Sequence, residues 1–513
     1  MSLVRLSRKS LAPALRATAF AALATTLVVA PGCGDDDDGT TVKADAATSS
    51  ADASEPVIDA APSPDSPPGS ADGGVEERLN VVPLSATGHD HFFGVTFDAN
   101  GNIYATGQVA PGTDTMTDYA SVVAKFTPTG DLDTTFGTGG FVIKNVATGT
   151  NGELFRGIVL QSNGKIVVSG TVEHAGATDP RDRDVALLRY NTDGTPDTTF
   201  GTAGVVILDF STGVVSGTSF AADSVWGLAV YPDDRLVLSG GKVRTGATDT
   251  DYVVARLTKD GVLDTTFATG GIFSLDLEIP DTTNGGALKH NNASPRNIEL
   301  LPGTQGIIAA GYQPVPGRDT EPVIYKLTDA GTLDTTFAHN GVFSDYLLDE
   351  QAESYVARLQ GDKIVTTGYG RALSTETTDV LSLRLNANGT LDTSYGAAGT
   401  GMVRIDVGGF ADNSRNLQVL PDHRVLLSGG GRGTETNVDG WIGLLKADGT
   451  PDTSFGPNGW KLVDLGGPAD FLWSVAVSPD AKLAAFVGFK GVGANPTPAT
   501  ANDDAALYLL PLE

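Results

Sequence analysis

A short motif that occurs six times in this 513-residue chain constrains its fold more than any other feature. The first copy reads Leu132-Asp133-Thr134-Thr135-Phe136-Gly137, and the other copies keep the aspartate, two hydroxyl-bearing residues and an aromatic residue. The copies lie at residues 132–137, 196–201, 263–267, 333–337, 391–396 and 451–456, and successive motif aspartates are 64, 67, 70, 58 and 60 residues apart. A period of this length indicates a supersecondary unit that packs against its own copies.

Each repeat predicts four short strands, here called a to d in chain order. In the second unit these strands are predicted at residues 157–160, 165–169, 185–190 and 205–210. Alternating apolar residues, β-branched side chains and Asn-Gly or Asp-Gly turns support this division. The chain is therefore expected to be all-β.

The two ends of the repeat region predict how the fold closes. Residues 473–477, 482–487 and 505–510 supply strands a, b and c of a seventh unit, and no strand d follows them. Residues 79–84 look like a strand d with nothing before it. We predict a seven-bladed β-propeller of four-stranded antiparallel blades at residues 78–513, in which this N-terminal strand completes the last blade and closes the ring.

The motif and its period resemble those of the delta-60 repeat family of bacterial β-propellers. The resemblance covers residues 78–513 and rests on the six motif copies. It implies the propeller fold. It implies no catalytic residue, because the family is largely uncharacterised.

The first 32 residues are typical of an export signal. Arg5, Arg8, Lys9 and Arg16 precede or begin an uncharged stretch at residues 17–30 that is short for a transmembrane helix. Small residues then lead to Cys33, the only cysteine. This arrangement resembles the bacterial lipoprotein signal, although that family usually has Leu where Ala30 stands, and Pro31 is atypical. We predict a lipid on Cys33; the alternative is ordinary cleavage after Ala30, which would leave a free thiol.

Residues 33–77 predict a disordered acidic tether rich in Ala, Ser, Pro and Asp, because they contain almost no large apolar side chain. The expected location is the cell envelope, with the lipid in the outer membrane or at the cell surface, or on the periplasmic side. The net charge of −28 argues against binding to nucleic acid or anionic lipid. The protein is therefore expected to be a lipid-anchored monomer whose ligand is a glycan, a peptide or another protein.

A ring of arginines alternating with aromatic residues is the strongest candidate site. Aligning the seven units at the entry to strand a gives Phe93, Arg156, Trp226, Arg296, Tyr355, Arg415 and Trp473, here called the collar. Because strand a is innermost in a propeller, the collar should surround one mouth of the central channel. Neighbouring arginines and aromatic rings can stack, and such a ring could take a sugar, a peptide or a carboxylate.

The alternative for the collar is packing between blades. In five units an acid precedes the collar residue by three positions, and these acids could neutralise the arginines; they are Asp90, Glu153, Asp223, Asp412 and Asp470. A further recurrent pair, such as Asp184 and Arg189, places an acid at the entry to strand c and a base five residues later. Five positions put the two side chains on opposite faces of a strand, so we expect each to contact other residues.

Other chemical signals are weak. Asn191, Asp193 and Asp197 resemble part of a calcium loop, but the position of Asp193 is Ala330 in another copy, which favours a turn. His89 and His91 are close, yet no neighbouring carboxylate and cysteine complete a zinc site in the sequence. We expect no cofactor, no metal and no catalytic residue. The leading hypothesis is a non-enzymatic binding scaffold that uses one face of the propeller, and the alternative is an exported hydrolase or lyase with its site at the channel mouth.

Overall fold

The structure is a computed structural model that describes residues 2–5, 76–85, 88–110, 119–147, 152–216, 219–281, 287–303, 306–317, 319–397, 399–431, 437–491 and 502–512. Cys33, the export signal beyond residues 2–5 and the tether up to residue 75 lie outside these ranges. No helix in the described ranges has the length and apolar character needed to cross a bilayer. Their one helical element is the single 3₁₀ turn Thr453–Phe455.

Four antiparallel strands are the recurring unit of the fold, as the sequence predicts. Three sheets consist of four such strands and nothing else. Their strands are His91–Phe97, Ile103–Val109, Ala120–Phe126 and Phe141–Lys144; Leu154–Leu160, Ile166–Glu173, Arg183–Tyr190 and Val205–Leu208; and Asn413–Val419, Val425–Gly431, Asp439–Leu445 and Trp460–Val463.

Two further sheets add short strands to the same plan. The first contains Ser224–Val230, Leu236–Val243, Thr250–Leu257 and Ile272–Asp281, and the last of these also pairs with Ser2–Arg5 and Ala287–His290. The second contains Phe471–Val477, Leu483–Lys490, Asn502–Pro511 and Arg78–Val82, with Gly88–His89 beside Asn502–Pro511. A separate hairpin, Val214–Ser216 with Ser219–Ala221, lies in the loop that leads to Ser224–Val230.

The prediction of seven separate blades requires a correction, because only five separate sheets follow the four-stranded plan in the described residues. Two predicted units are joined in one nine-stranded sheet whose strands are Ser294–Leu300, Ile307–Pro314, Thr320–Leu327, Val342–Ser344, Gln351–Ala352, Val356–Gln360, Lys363–Arg371, Asp379–Leu385 and Met402–Ile405. The short strand Gln351–Ala352 makes the junction. Gln351 pairs with Thr320 on one side and with Arg371 on the other, so the hydrogen-bonded ladder continues across both units.

The N-terminal strand pairs with the last strand of the chain. Arg78–Val82 lies antiparallel to Asn502–Pro511, in a register that sets Arg78 opposite Leu509 and Val82 opposite Ala505. Val82 is buried in the same apolar cluster as Leu507 and Leu509. This pairing covers an edge that would otherwise be open to association with other chains.

Tight turns between strands a and b set the register of each unit. In the second unit, Gly164 has a φ of +78° and donates its backbone N–H to the carbonyl of Gln161 at 2.8 Å. Glycine adopts this left-handed conformation without steric cost, which is why an Asn-Gly pair stands there. The side chain of Asn163 also accepts a hydrogen bond from Lys165 N at 3.0 Å.

The repeated motif forms a capped turn. Asp197 Oδ1 accepts hydrogen bonds from the backbone N–H and the hydroxyl of Thr199, at 3.1 and 2.7 Å. Phe200 is fully buried. In the preceding turn, Asp193 accepts from Thr195 N at 2.9 Å. The prediction of a turn motif with a packed aromatic residue is therefore confirmed.

Candidate functional site

The collar residues surround a single cavity at the centre of the molecule. All seven of them line this cavity, which has a volume of about 140 Å³. The same cavity is also lined by the residues that follow the collar in the first strands of the units, among them Gly157, Asn297 and Ser474. The structure thus brings together side chains that are up to 380 residues apart in the chain, counted from Phe93 to Trp473.

A β-bulge positions most collar residues, and the sequence did not reveal it. In six of the first strands the pairing register shifts across the collar position, as between Val225 and Gly227 around Trp226. A bulge interrupts the alternation of side chains and re-aims the extra residue. In the remaining unit, Tyr355 precedes the strand Val356–Gln360, and its backbone N–H donates to Thr367 O at 2.8 Å.

The collar side chains form a continuous series of ring and cation–π contacts. The guanidinium carbon of Arg156 lies 3.8 Å from the ring centroid of Trp226, and that of Arg296 lies 3.9 Å from the same ring. Arg296 and Arg415 lie 4.7 and 4.4 Å from the ring of Tyr355. Arg415 is 5.0 Å from Trp473, Trp473 is 5.2 Å from Phe93, and Arg156 is 5.7 Å from Phe93.

Burial divides the collar into two parts. Four collar residues, Phe93, Arg296, Tyr355 and Arg415, are 4–9% exposed. Arg296 donates to the hydroxyl of Tyr312 at 2.6 Å. Arg156, Trp226 and Trp473 are partly exposed. The first group packs between units, as the alternative interpretation of the collar predicts. The second group presents a cation and aromatic faces to the cavity.

The acids that precede the collar accept hydrogen bonds from backbone N–H groups, which the sequence did not suggest. Glu153 Oε1 accepts a backbone hydrogen bond from Ala147 at 2.7 Å, and Asp470 Oδ2 accepts one from Leu465 at 2.7 Å. Asp90, Asp223 and Asp412 likewise accept N–H groups of the segment that follows the preceding strand d. These acids therefore hold the loops that enter strand a.

Burial perturbs the titration of these carboxyl groups. Desolvation raises the pKa of Glu153 and of Asp223 to about 7, even though backbone N–H donors oppose the shift. The same cause raises the pKa of Asp470 to about 6. The protonation of these groups is thus coupled to the structure of the loops around the cavity mouth.

The cavity is basic although the chain is strongly acidic. Four arginines line it, namely Arg156, Arg296, Arg358 and Arg415, and no acidic side chain of the described residues does. Arg358 pairs with Glu299 at 3.1 Å. A cluster of guanidinium groups, in a chain whose overall net charge is −28, favours a small anion at this place.

A buried carboxyl and three tyrosines lie beside two collar arginines. Glu353 is 4% exposed and accepts a hydrogen bond from Gln351 Nε2 at 2.8 Å. Burial raises its pKa to about 6, and the positive charges of Arg296 and Arg415 oppose that shift. The hydroxyls of Tyr355 and Tyr369 are 3.3 Å apart. The sequence alignment missed Glu353 because it stands two residues before its collar residue instead of three.

The basic residues of strand c bind the repeated motif and the neighbouring unit. Arg189 Nε donates to Asp197 of the motif at 2.6 Å, and its Nη1 donates to the carbonyl of Lys259 in the next unit at 2.5 Å. Asp184, the acid five residues earlier, accepts from His174 at 2.9 Å. The expectation that acid and base have separate partners is confirmed. Because Arg189 and Lys165 both bind Asp197, that carboxylate is engaged in an ion pair.

The histidines include a grouping that the sequence did not predict. Asp503, near the start of the last strand, lies between the imidazoles of His89 and His91. The sequence could not point to Asp503, because more than 400 residues separate it from the two histidines. Pairing of Gly88–His89 with Asn502–Pro511 brings the three side chains together.

Long loops lie on the collar face. The connection at 211–224 contains the hairpin Val214–Ser216 with Ser219–Ala221, and the connection at 278–295 contains Ala287–His290. The connection at 489–503 falls largely outside the described residues.

Comparison with known proteins supports the fold. The family described as "Domain of unknown function (DUF5122) beta-propeller" matches residues 161–200 and 232–267, and each segment ends at a motif phenylalanine. The chain is a β-propeller built of repeats. No curated protein matches it.

Several solved structures are similar in outline. Polysaccharide lyase Uly1 is 10% identical, with 83% of this chain and 90% of that chain covered and a TM-score of 0.47. The α-L-arabinofuranosidase Arb93A of Fusarium graminearum is 13% identical, with 69% and 91% covered and a TM-score of 0.38. The propeller domain of the trilobed protease of Pyrococcus furiosus is 10% identical, with 84% and 94% covered and a TM-score of 0.38. Similarity of this degree decides nothing about activity.

Proposed function

We propose that this propeller binds a small anionic ligand, such as the carboxylate of a uronic acid in an acidic glycan, at the collar. The observation that carries the proposal is the cavity lined by four arginines and, within the described residues, by no acid. Planar guanidinium groups suit the geometry of carboxylate and sulfate, and aromatic faces suit the apolar face of a sugar ring. The partly exposed Arg156, Trp226 and Trp473 supply both kinds of contact, and the indole N–H of Trp473 has no hydrogen-bond partner.

The test compares a uronic acid with its neutral sugar by isothermal titration calorimetry. We expect glucuronate or galacturonate oligosaccharides to bind and the neutral oligosaccharides to bind at least about tenfold more weakly. Arg156→Met keeps much of the apolar stem and removes the charge, and it should abolish the difference. Arg181→Met is the matched control, because Arg181 also lies over an aromatic ring, Phe220 at 4.8 Å, but does not line the cavity. Equal binding by both variants, or no preference for the acid in the wild type, would contradict the proposal.

A second candidate is a hydrolase or lyase that acts on an acidic polysaccharide at the same mouth. It is favoured by the buried Glu353, whose pKa near 6 suits proton transfer near neutral pH. Glu353 does not itself line the cavity, but Tyr355, Arg296 and Arg415 do, and the charges of both arginines act on the Glu353 carboxyl group. The two candidates share a ligand class and differ in turnover.

Product analysis separates the two. A lyase releases unsaturated ends that absorb ultraviolet light, and a hydrolase releases reducing ends without that absorbance. If the protein is an enzyme, Glu353→Gln should lose turnover and should still bind the acidic oligosaccharide. Binding without either product in the wild type would leave the non-enzymatic scaffold.

We also propose that seven units stand around the channel, the nine-stranded sheet counting as two. Seven clusters of buried apolar side chains, each between two neighbouring units, support this number. The cavity is likewise lined by seven collar residues, of which six lie in first strands and Tyr355 directly precedes one. The pairing of Arg78–Val82 with the last strand supports closure of the ring.

We propose, from the sequence alone, that export and a lipid on Cys33 place this propeller at the cell envelope. Residue 33 lies outside the described residues. Metabolic labelling with a clickable palmitate should mark the wild type and miss Cys33→Ser. Equal labelling of the two would refute the anchor.

A further inference from the structure

Two histidines and an aspartate meet where the two ends of the propeller pair. Gly88–His89 runs parallel to the start of Asn502–Pro511, with His89 opposite Asp503. The backbone N–H of Asp90 donates to the carbonyl of Asp503 at 2.9 Å, and His91 begins the next strand. Backbone hydrogen bonds thus fix the relative positions of all three side chains.

The three side chains converge on one point. Asp503 Oδ2 contacts His89 Nδ1 and lies 3.1 Å from His91 Nε2. A ligand atom from each residue lies within 4.8 Å of the other two. The side chains are 15%, 14% and 9% exposed for His89, His91 and Asp503, so the group is shielded but can be reached from solvent.

Aromatic packing holds the second histidine in place. The ring of His91 stacks on Phe489, with centroids 3.9 Å apart and an interplanar angle of 18°. It also meets the collar residue Phe93 edge-on at 5.6 Å. A ligand that is fixed before the ion arrives loses little conformational entropy on binding, which favours affinity.

Two imidazole nitrogens and one carboxylate oxygen are a donor set used for Zn²⁺ and other first-row divalent ions. Four other groups of three potential ligands occur in the described residues, but each has at most one histidine; they are His174, Asp184 and Asp209; Asp249, Asp276 and His290; Asp379, Asp406 and Asp412; and Asp439, Asp464 and Asp470. Within the part of the chain that the structure describes, the group at the paired ends is therefore the one with two histidines, the composition that best suits a transition-metal ion.

We propose that His89, His91 and Asp503 bind one divalent transition-metal ion, with Zn²⁺ as the preferred ion. Three protein ligands leave at least one coordination position for water or an exogenous ligand. The ion would join the segment before the first blade to the last strand, so binding should stabilise the paired ends. The site does not depend on the function proposed for the collar, although Phe93 connects the two.

The test uses the untagged full-length protein and Zn²⁺ alone. After equilibration with zinc and dialysis against metal-free buffer, mass spectrometry of the metal content should give one zinc ion per wild-type chain. Zinc should also raise the Tm, because a ligand that binds only the folded state stabilises it. Asp503→Asn and His91→Phe should each weaken zinc binding by at least about tenfold.

The variants are chosen to separate coordination from packing. His91→Phe keeps an aromatic ring against Phe489, and Asp503→Asn is nearly isosteric, so at least one should fold as judged by circular dichroism. His174→Phe is the matched control, since His174 also contacts an aspartate but belongs to a group with one histidine. It should bind zinc like the wild type. Absence of zinc from the wild type, or equal zinc in the wild type and both site variants, would overturn the proposal.

Discussion

Arg189 and Asp197 form a buried ion pair that joins the repeated motif to strand c. The Nε–Oδ2 distance is 2.6 Å, and the two side chains are 3% and 5% exposed. Arg256 with Asp264 and Arg384 with Asp392 repeat the contact at 2.8 and 2.7 Å. The motif aspartate thus has two tasks, since it caps its own turn and balances the charge of the arginine.

Removal of one partner should be costly. Arg189→Ala leaves the carboxylate of Asp197 with Lys165 as its remaining cationic partner, and it also deletes the bond to the carbonyl of Lys259. We expect the free energy of unfolding to fall by about 3–5 kcal/mol in urea titrations. Lys259→Ala, at a side chain 62% exposed, serves as the control and should change it by less than about 0.5 kcal/mol. Similar effects of the two variants would contradict a structural role for the ion pair.

A glycine next to the collar should tolerate no side chain. A Cβ on Gly227 would lie 2.5 Å from Ser239 Oγ and 2.7 Å from the backbone N of Ile298 in the neighbouring unit. Gly227→Ala should therefore lower the free energy of unfolding by about 1–3 kcal/mol, measured by urea titration. Gly246→Asn is the control, because nothing lies within 4 Å of a Cβ there and Asn tolerates its positive φ. An unchanged free energy of unfolding in Gly227→Ala would show that the two neighbouring units can move apart enough to admit the methyl group.

The buried Glu153 should make stability depend on pH. Its pKa is about 7 in the folded protein against an ordinary value of 4.5, so the folded state holds the proton more tightly. Its stabilising contribution is fully present below pH 4.5 and is lost as the pH rises to about 7, by at most about 3 kcal/mol. The Tm of the wild type should therefore fall more steeply between pH 5 and 8 than the Tm of Glu153→Gln. The exposed Glu76→Gln should keep the wild-type slope; identical slopes for all three would refute the coupling.

Deletion of the strand Arg78–Val82 should open the last blade. A chain that lacks residues 76–85 exposes the edge of Asn502–Pro511 that pairs with Arg78–Val82. We expect a lower Tm and concentration-dependent association in light scattering, because an unpaired edge invites other strands. A chain that lacks residues 34–75 keeps the pairing and should behave like the intact protein. Monomeric, equally stable behaviour of both would argue against closure through this strand.

Much of the fold followed from local patterns. The predicted strands at 185–190 and 205–210 correspond to Arg183–Tyr190 and Val205–Leu208, since alternation and turn residues act over a few positions. The junction at Gln351–Ala352 did not follow, because it depends on pairing with strands on both sides. No short-range pattern announces a two-residue bridge of this kind.

The candidate site was only partly predictable. Alignment of the repeats found all seven residues that line the cavity as the collar, because the repeated motif sets the alignment at the entry to each first strand. It did not reveal that backbone N–H groups of nearby loops bind Glu153 and its counterparts. It also missed the contact of Asp503 with His89, which depends on how the two termini meet.

The bond from Arg189 to the carbonyl of Lys259 has a consequence for how such chains are assembled in evolution. Arg256 reaches the carbonyl of Asp329 and Arg384 that of Ala447 in the same direction around the molecule. Three units therefore carry the same arginine donor for the carbonyl of the unit that follows them. Duplication of one of these units would reproduce the same donor and acceptor at the new boundary, so gene segments of this length can be gained there without redesign of this contact.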